Sequence, residues 1–160
     1  MQTLLPVAHR IAELLKARKQ TLCVAEGSAG GLVSAAMLAV PGASAYFLGG
    51  AVVYTRVARR VLLGLSDEDM AGIRASTEAY SMMMARAACA RFGTDWAIAE
   101  SGATGPTGNR YGDAAGHAAI AVAGLAEAGL TLETASGDRE GNMRAFAAAA
   151  LGLLERCLVG

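Results

Sequence analysis

The sequence predicts an α/β fold, a three-layer α/β/α sandwich around a mixed sheet of about five strands, in a single domain spanning residues 1–160. Short apolar stretches of strand length alternate along the chain with longer stretches of helical period. The last two predicted strands are separated only by a short turn at residues 127–129. Such a short connection requires an antiparallel pair, so the sheet is expected to be mixed.

In the first half of the chain, apolar residues three or four apart indicate helices, and short apolar runs indicate strands. In chain order these are a helix over 4–18, a strand over 20–26, a helix over 32–40, a strand over 51–54 and a helix over 55–63. Pro41-Gly42 ends the second helix, and Ser66 is positioned to cap a short helix that follows the third.

The second half contains two longer helices around three strands. Thr77 is expected to open a helix that continues to Arg91 and ends at Gly93. A final helix starts at 137–140, where Asp138 is the expected N-cap, and reaches Leu158. The three strands lie between these helices, at residues 96–100, 118–123 and 130–135.

Composition excludes several classes of function. The 14 basic and 14 acidic residues give a net charge of zero, which argues against nucleic-acid binding and against a polybasic membrane-surface protein. No apolar run reaches the roughly 20 residues of a membrane-spanning helix, and we expect a cytoplasmic protein. The three Cys and two His are scattered, with no CxxC spacing, so neither a metal site nor a cofactor is predicted.

Small residues and arginine dominate the composition. Alanine accounts for 36 of the 160 residues, which permits close contact between helices and favours a homo-oligomer. The basic residues are 12 Arg and only two Lys, Lys16 and Lys19. No lysine therefore lies beyond residue 19.

Three polar loops follow predicted strands, at residues 27–31, 101–109 and 137–140. In open α/β sheets, ligands bind beyond the carboxyl ends of the strands. The first loop is equally compatible with an anion at the start of the next helix and with a tight strand-to-helix turn. Residues 101–106 can present backbone N–H groups to an oxyanion or phosphate, and Arg139 can bind a phosphate or carboxylate.

Taken together, these segments resemble the C-terminal domain of the CinA (competence/damage-inducible) family, over nearly the whole chain. The segments that carry the resemblance are 25–31 (AEGSAGG), 40–50 (VPGASAYFLGG), 54–59 (YTRVAR), 101–106 (SGATGP) and 137–139 (GDR). The resemblance implies a pyridine-nucleotide pocket and hydrolysis of the carboxamide of nicotinamide mononucleotide, with release of ammonia. It also implies a serine nucleophile activated by a lysine, with a tyrosine nearby.

The match departs from the family where the resemblance places the chemistry. The nucleophile position falls on Gly27, and the lysine position falls on Arg59, whose guanidinium stays protonated. Ser28, one residue further on, is a replacement nucleophile only if the loop is shifted, and Arg59 can bind a phosphate or an oxyanion. The loop before the next strand is also unlike the family, with residues 109–114 reading NRYGDA.

The sequence therefore predicts a CinA-like protein with a nucleotide pocket and lost or altered amidohydrolase chemistry. An active amidase that releases ammonia and a non-catalytic oligomeric scaffold are the alternatives. The candidate catalytic residues are Ser28, Tyr54 and Arg59. The candidate ligand-binding residues are Glu26, Gly27, Gly30, Gly31, Ser101, Gly102, Thr104, Gly105 and Arg139.

Overall fold

Five strands form one mixed sheet in the computed structural model, which describes residues 1–160. The strands are β1 Leu22–Glu26, β2 Phe47–Val52, β3 Trp96–Ala103, β4 His117–Gly124 and β5 Ala128–Glu133. Their order is β2-β1-β3-β4-β5. The strand β1 pairs in parallel with β2 and β3, and the pairs β3–β4 and β4–β5 are antiparallel. The predicted mixed sheet is confirmed.

Helices cover both faces of this sheet. The helices are α1 Leu5–Arg18, α2 Leu32–Leu38, α3 Arg56–Ala58, α4 Glu78–Phe92 and α5 Arg139–Val159. A π-helix, Arg59–Leu63, continues α3. The helices α1, α2 and α5 pack with one face of the sheet around a cluster of 26 buried residues. The opposite face packs against α4 and the π-helix around 11 buried residues, most of them alanines.

Several predicted boundaries need correction. The second strand begins at Phe47 and ends at Val52, not at residues 51–54, because Gly49 and Gly50 interrupt its apolar pattern. Residues 67–72 form turns, not a capped helix, and the Ser66 hydroxyl and N–H bind Asp69. The third strand continues to Ala103 and therefore includes part of the predicted loop.

Helix starts follow the sequence closely. The Thr77 side chain accepts a hydrogen bond from the Tyr80 N–H, and the Asp138 side chain accepts one from Gly141. Both residues are therefore N-caps, as predicted. No helix is long and apolar enough to cross a membrane.

Candidate functional site

A cavity of about 370 Å³ opens at the carboxyl ends of β1 and β3 and beside the end of β2. These three strands run parallel, so the loops that leave them meet at one edge of the sheet. The lining residues are Gly27, Ser28, Val53, Tyr54, Thr55, Arg56, Ala75, Ser76, Tyr80, Ser101, Gly102, Asn109, Arg110 and Tyr111. The lining contains two arginines and no acidic residue, which favours an anionic ligand.

Ser28 lies at the wall of this cavity and is almost entirely buried. Its hydroxyl donates a hydrogen bond to Oε1 of Glu100. The other carboxylate oxygen, Oε2, accepts the N–H groups of Gly27 at 3.2 Å and Ala29 at 2.8 Å. The carboxylate of Glu100 therefore holds three consecutive residues of the loop.

Glu100 is fully buried in the second half of β3, three residues before its end, and does not line the cavity. Burial raises the pKa of its carboxyl to about 7, although the hydrogen bonds from Ser28 and the loop N–H groups favour the charged form. The negative charge of Glu26 adds to the increase. A carboxyl that titrates near neutral pH can both accept and return a proton there.

The sequence prediction did not include Glu100, although a signal for it was present. The apolar runs at 22–25 and 96–99 are each followed by a glutamate, and these two residues, Glu26 and Glu100, pair in register. An acidic residue that ends an apolar strand immediately before a glycine-rich loop is unusual for a purely structural position. Glu26 was a candidate because it belongs to the glycine-containing segment 25–31 that carries the resemblance.

Glu26 points into the protein interior, not into the cavity. Its carboxylate accepts the N–H groups of Val33 at 3.0 Å and Ser34 at 2.9 Å, and the Ser34 hydroxyl at 2.7 Å. It therefore satisfies the first turn of α2. The prediction of an anion at the start of this helix is not supported, because two of its free N–H groups are already bonded.

Gly30 and Gly31 also lie outside the lining of the cavity. Their φ angles are +69° and +100°, a left-handed conformation that glycine adopts without strain. A Cβ at Gly30 would lie 2.8 Å from Cε of Met143 on α5. These glycines therefore form the tight turn into α2 that was one of the two open interpretations of the loop.

Arg59 is the predicted catalytic residue that the structure does not bring to the main cavity. Its guanidinium is buried, pairs with the Asp67 carboxylate and donates to the Leu65 carbonyl at 3.4 Å. It also contacts the Tyr80 hydroxyl at 3.5 Å. It lines a separate, adjoining cavity of about 250 Å³. In this position Arg59 links α4 to the segment that follows α3.

Arg56 and Arg110 supply the positive charge of the main cavity, and neither was a predicted site residue. The guanidinium of Arg110 stacks 5.2 Å from the ring centre of Tyr111 and donates to its hydroxyl at 3.1 Å. Hydrogen bonds from Arg110 and then Arg56 lower the pKa of Tyr111. Neither arginine forms a salt bridge, so both charges are available to a ligand.

Several hydrogen bonds hold the loop that carries Arg110. Oδ1 of Asn109 accepts the N–H groups of Tyr111 and Asp113, and its amide nitrogen donates to the Asp113 carboxylate at 2.8 Å. Asp113 in turn forms a two-pronged ion pair with Arg74. The departure of residues 109–114 from the family pattern was the sequence signal for this part of the site.

The remaining candidates line a neighbouring cavity of about 250 Å³, formed with the loop after β3. This group comprises Gly102, Thr104, Gly105 and Arg139. Nη1 of Arg139 donates to the Gly105 carbonyl at 2.7 Å. Tyr54, Gly102 and Asn109 line both this cavity and the main one, so the two are adjacent. Ser101 lies in the main cavity, 3.3 Å from the Ser76 hydroxyl.

Comparison with known proteins agrees with this architecture. The profile of the CinA C-terminal domain matches residues 4–158. The chain belongs to the CinA C-terminal domain family. A CinA-like protein of Prochlorococcus marinus is 41% identical over 118 residues, which cover 74% of this chain and 28% of that protein. A CinA-like protein of Chloroherpeton thalassium is 34% identical over 158 residues, which cover 96% of this chain and 38% of that protein.

The chain thus spans about a third of the length of these curated relatives. Solved structures of the CinA superfamily match it over nearly their whole length. One from Klebsiella pneumoniae has a TM-score of 0.90 at 29% identity and covers 98% of both chains. A competence/damage inducible protein from Agrobacterium tumefaciens has a TM-score of 0.89 at 25% identity and covers 98% of this chain and 96% of its own.

Proposed function

We propose that this CinA-family chain binds a small anionic pyridine nucleotide, of the nicotinamide mononucleotide type, and lacks the serine–lysine amidohydrolase chemistry that the resemblance implies. The observation that carries the binding proposal is the charge of the main cavity, where Arg56 and Arg110 are the only charged lining residues. A phosphate is the group that two guanidiniums recognise best. The cavity volume of about 370 Å³ is in the usual range for a small-molecule site.

The loss of serine–lysine chemistry is supported by two positions. Gly27 offers no side chain to the cavity, and Arg59 is directed at Asp67 and Tyr80. A guanidinium keeps its proton at any working pH and so cannot activate a hydroxyl. The functions that remain are ligand binding and chemistry by another group of residues.

Calorimetric titration with nicotinamide mononucleotide and with its carboxylic acid tests the binding proposal. Both are expected to bind, and the riboside, which keeps the cationic pyridinium ring but lacks the phosphate, is expected to bind at least tenfold more weakly. Arg110→Gln should weaken nucleotide binding by a similar factor. Arg60→Gln is the matched control, because Arg60 is exposed, on the same helical segment as Arg56, and outside the main cavity.

The outcomes are distinct. If neither nucleotide binds, the proposal is wrong, and if the riboside binds as tightly as the nucleotide, the assignment of the phosphate to Arg56 and Arg110 is wrong. An ammonia assay tests the catalytic part. The double variant Gly27→Ser, Arg59→Lys is expected to release ammonia from the mononucleotide faster than Gly27→Ser alone. Equal rates would show that lysine is not the missing group.

Self-association and a cytoplasmic location belong to the same proposal. Val57 and Val61 are each about 60% exposed and lie one helical turn apart, next to exposed Leu62. Exposed apolar groups of this kind favour contact with another copy of the chain. Light scattering of the purified chain and of Val61→Glu tests this self-association, and a monomer in both would contradict it.

The cytoplasmic location is proposed because three free thiols suit a reducing compartment.

A further inference from the structure

We propose that Ser28 and Glu100 form a nucleophile–base pair that gives the main cavity hydrolytic acyl-transfer activity. Only the identity of the substrate, a nucleotide carboxamide, rests on the proposed function. The pair itself is independent of it, because it is defined by a hydroxyl, a buried carboxylate and the cavity wall. It would replace the serine and lysine that Gly27 and Arg59 no longer provide.

The geometry places Ser28 between the base and the ligand. Ser28 lines the cavity, whereas Glu100 is fully buried behind it. Oε1 of Glu100 has the Ser28 hydroxyl as its hydrogen-bond partner, and Oε2 is held by the N–H groups of Gly27 and Ala29. The carboxylate is therefore fixed by the backbone while its other oxygen faces the hydroxyl.

The N–H groups of Gly27 and Ala29 both bond Oε2 of Glu100, so the Ser28 hydroxyl is the donor that satisfies the buried Oε1. Because Ser28 also lines the cavity, this bond connects the buried carboxylate to the cavity wall and can carry a proton. Burial keeps the pKa of Glu100 at about 7, the range in which a carboxylate accepts and returns protons efficiently.

The reaction balances with these two side chains and water. The Ser28 oxygen forms a bond to the carboxamide carbon while its proton moves to Oε1 of Glu100. Collapse of the adduct breaks the C–N bond, and the proton passes from Glu100 to the departing nitrogen, which leaves as ammonia. Glu100 then takes a proton from water, hydroxide attacks the ester carbon, and the carboxylic acid leaves as the Ser28 oxygen regains the proton.

The backbone also offers a donor for the negative oxygen that develops during this attack. The N–H group of Ser28 donates to no acceptor within the chain. In acyl-transfer sites, a free backbone N–H at the nucleophile can stabilise such an oxyanion. This N–H belongs to Ser28, the residue that carries the attacking hydroxyl, so the donor and the nucleophile remain close to each other.

An uncharged alkyl fluorophosphonate tests the pair without any nucleotide. Its phosphorus reacts with an activated serine and releases fluoride, and intact-mass measurement with peptide mapping locates the adduct. We expect one adduct, on Ser28, that is lost in Ser28→Ala. The exposed Ser66, whose hydroxyl donates to Asp69 at 2.9 Å, is an internal control and should stay unmodified.

The pH dependence identifies the base. The rate of adduct formation in the unaltered chain should rise with pH through about 7 and then level off, as Glu100 loses its proton. Glu100→Gln keeps the shape and an acceptor oxygen for the loop. It should slow the reaction by about 100-fold or more and remove the step near pH 7.

Each outcome decides the matter. No adduct on Ser28 overturns the pair, and a rate that does not change with pH in the unaltered chain overturns Glu100 as the base. Equal rates and profiles in Glu100→Gln and the unaltered chain overturn it as well. If Glu100→Gln does not fold, the profile of the unaltered chain still gives the answer. Because the probe contains no nucleotide, failure of calorimetric binding leaves this test intact.

Discussion

Gly27 lies where a side chain fits only with a small adjustment. A Cβ there would stand 3.2 Å from the Glu100 carbonyl oxygen and 3.4 Å from that of Val53, and its φ is not in the left-handed region. Gly27→Ser is therefore expected to fold and to lower the free energy of unfolding by about 1 kcal/mol. Urea unfolding measures this loss, with Gly137→Ser as the control, because its nearest contact is at 3.6 Å. Equal losses would mean that the two carbonyls move away freely.

At the residue scale, the sequence predicted which residues lie near the site but not the direction in which each side chain points. It indicated that the polar loops after the strands, at 27–31 and 101–109, lie at the edge of the sheet where ligands bind, but not where the carboxylates of Glu26 and Glu100 point. Trp96, Ile98 and Glu100 face the same side of the sheet as Leu22 and Val24, which only the register of β1 with β3 reveals. The hydrogen-bond partners of each carboxylate then determine its role, and these partners cannot be read from the residue types alone.

Arg59, at the start of the π-helix Arg59–Leu63, stabilises the fold. Its guanidinium is buried with three acceptors or partners, whereas the Asp67 side chain is 70% exposed. Arg59→Ala should therefore lower the free energy of unfolding by about 1–3 kcal/mol, because it leaves the Leu65 carbonyl without its donor. Asp67→Ala should cost less than half of that. Thermal unfolding compares them, and the exposed neighbour variant Arg60→Ala should be neutral. Equal effects in all three would contradict this role.

Close packing of α2 against β2 explains one of the two glycines that interrupt the apolar pattern of β2. A Cβ at Gly50 would overlap the Ser34 hydroxyl and lie 3.0 Å from the Ser34 Cβ, so α2 can approach β2 only because residue 50 has no side chain. Gly50→Ala should lower the free energy of unfolding by about 1–3 kcal/mol, since Ser34 must turn and give up its bond to Glu26. The double variant with Ser34→Gly should recover part of this loss in chemical unfolding. If the double variant recovers none of the lost stability, contact with Ser34 is not the cause of the loss.

Hydrophobic periodicity was sufficient for the helices and for the central strands, but not for β2 or for the π-helix. Helices α1, α4 and α5 were predicted within a few residues, because their caps are local signals. The edge strand β2 failed because its two glycines meet Ser34 and Phe92, which are distant in sequence. Local patterns therefore predict elements whose causes are local.

For the whole molecule, the raised pKa values of the buried Glu100 carboxyl and the buried His117 imidazole predict the pH at which stability is greatest. Glu100 binds its proton up to about pH 7 in the folded state but only to about 4.5 when unfolded, so stability falls as pH rises between these values. Burial alone would lower the pKa of His117, but its bonds to Glu133 and the Ser76 carbonyl raise it. The stability that protonated His117 contributes is fully present below pH 6.5, the usual pKa of histidine. It is lost as pH rises through the raised pKa of the folded state.

Below pH 4 the opposite trend applies, because the ion pair with Arg74 lowers the pKa of Asp113, and protonation of Asp113 then removes stability. We therefore expect the free energy of unfolding, measured in urea over a pH series, to be highest between about pH 4 and 4.5. Glu100→Gln should flatten the decline between pH 4.5 and 7, and His117→Gln should flatten only the part above 6.5. A maximum above pH 8 would show that Glu100 is ionised in the folded protein, and this would also remove its capacity to return a proton at neutral pH.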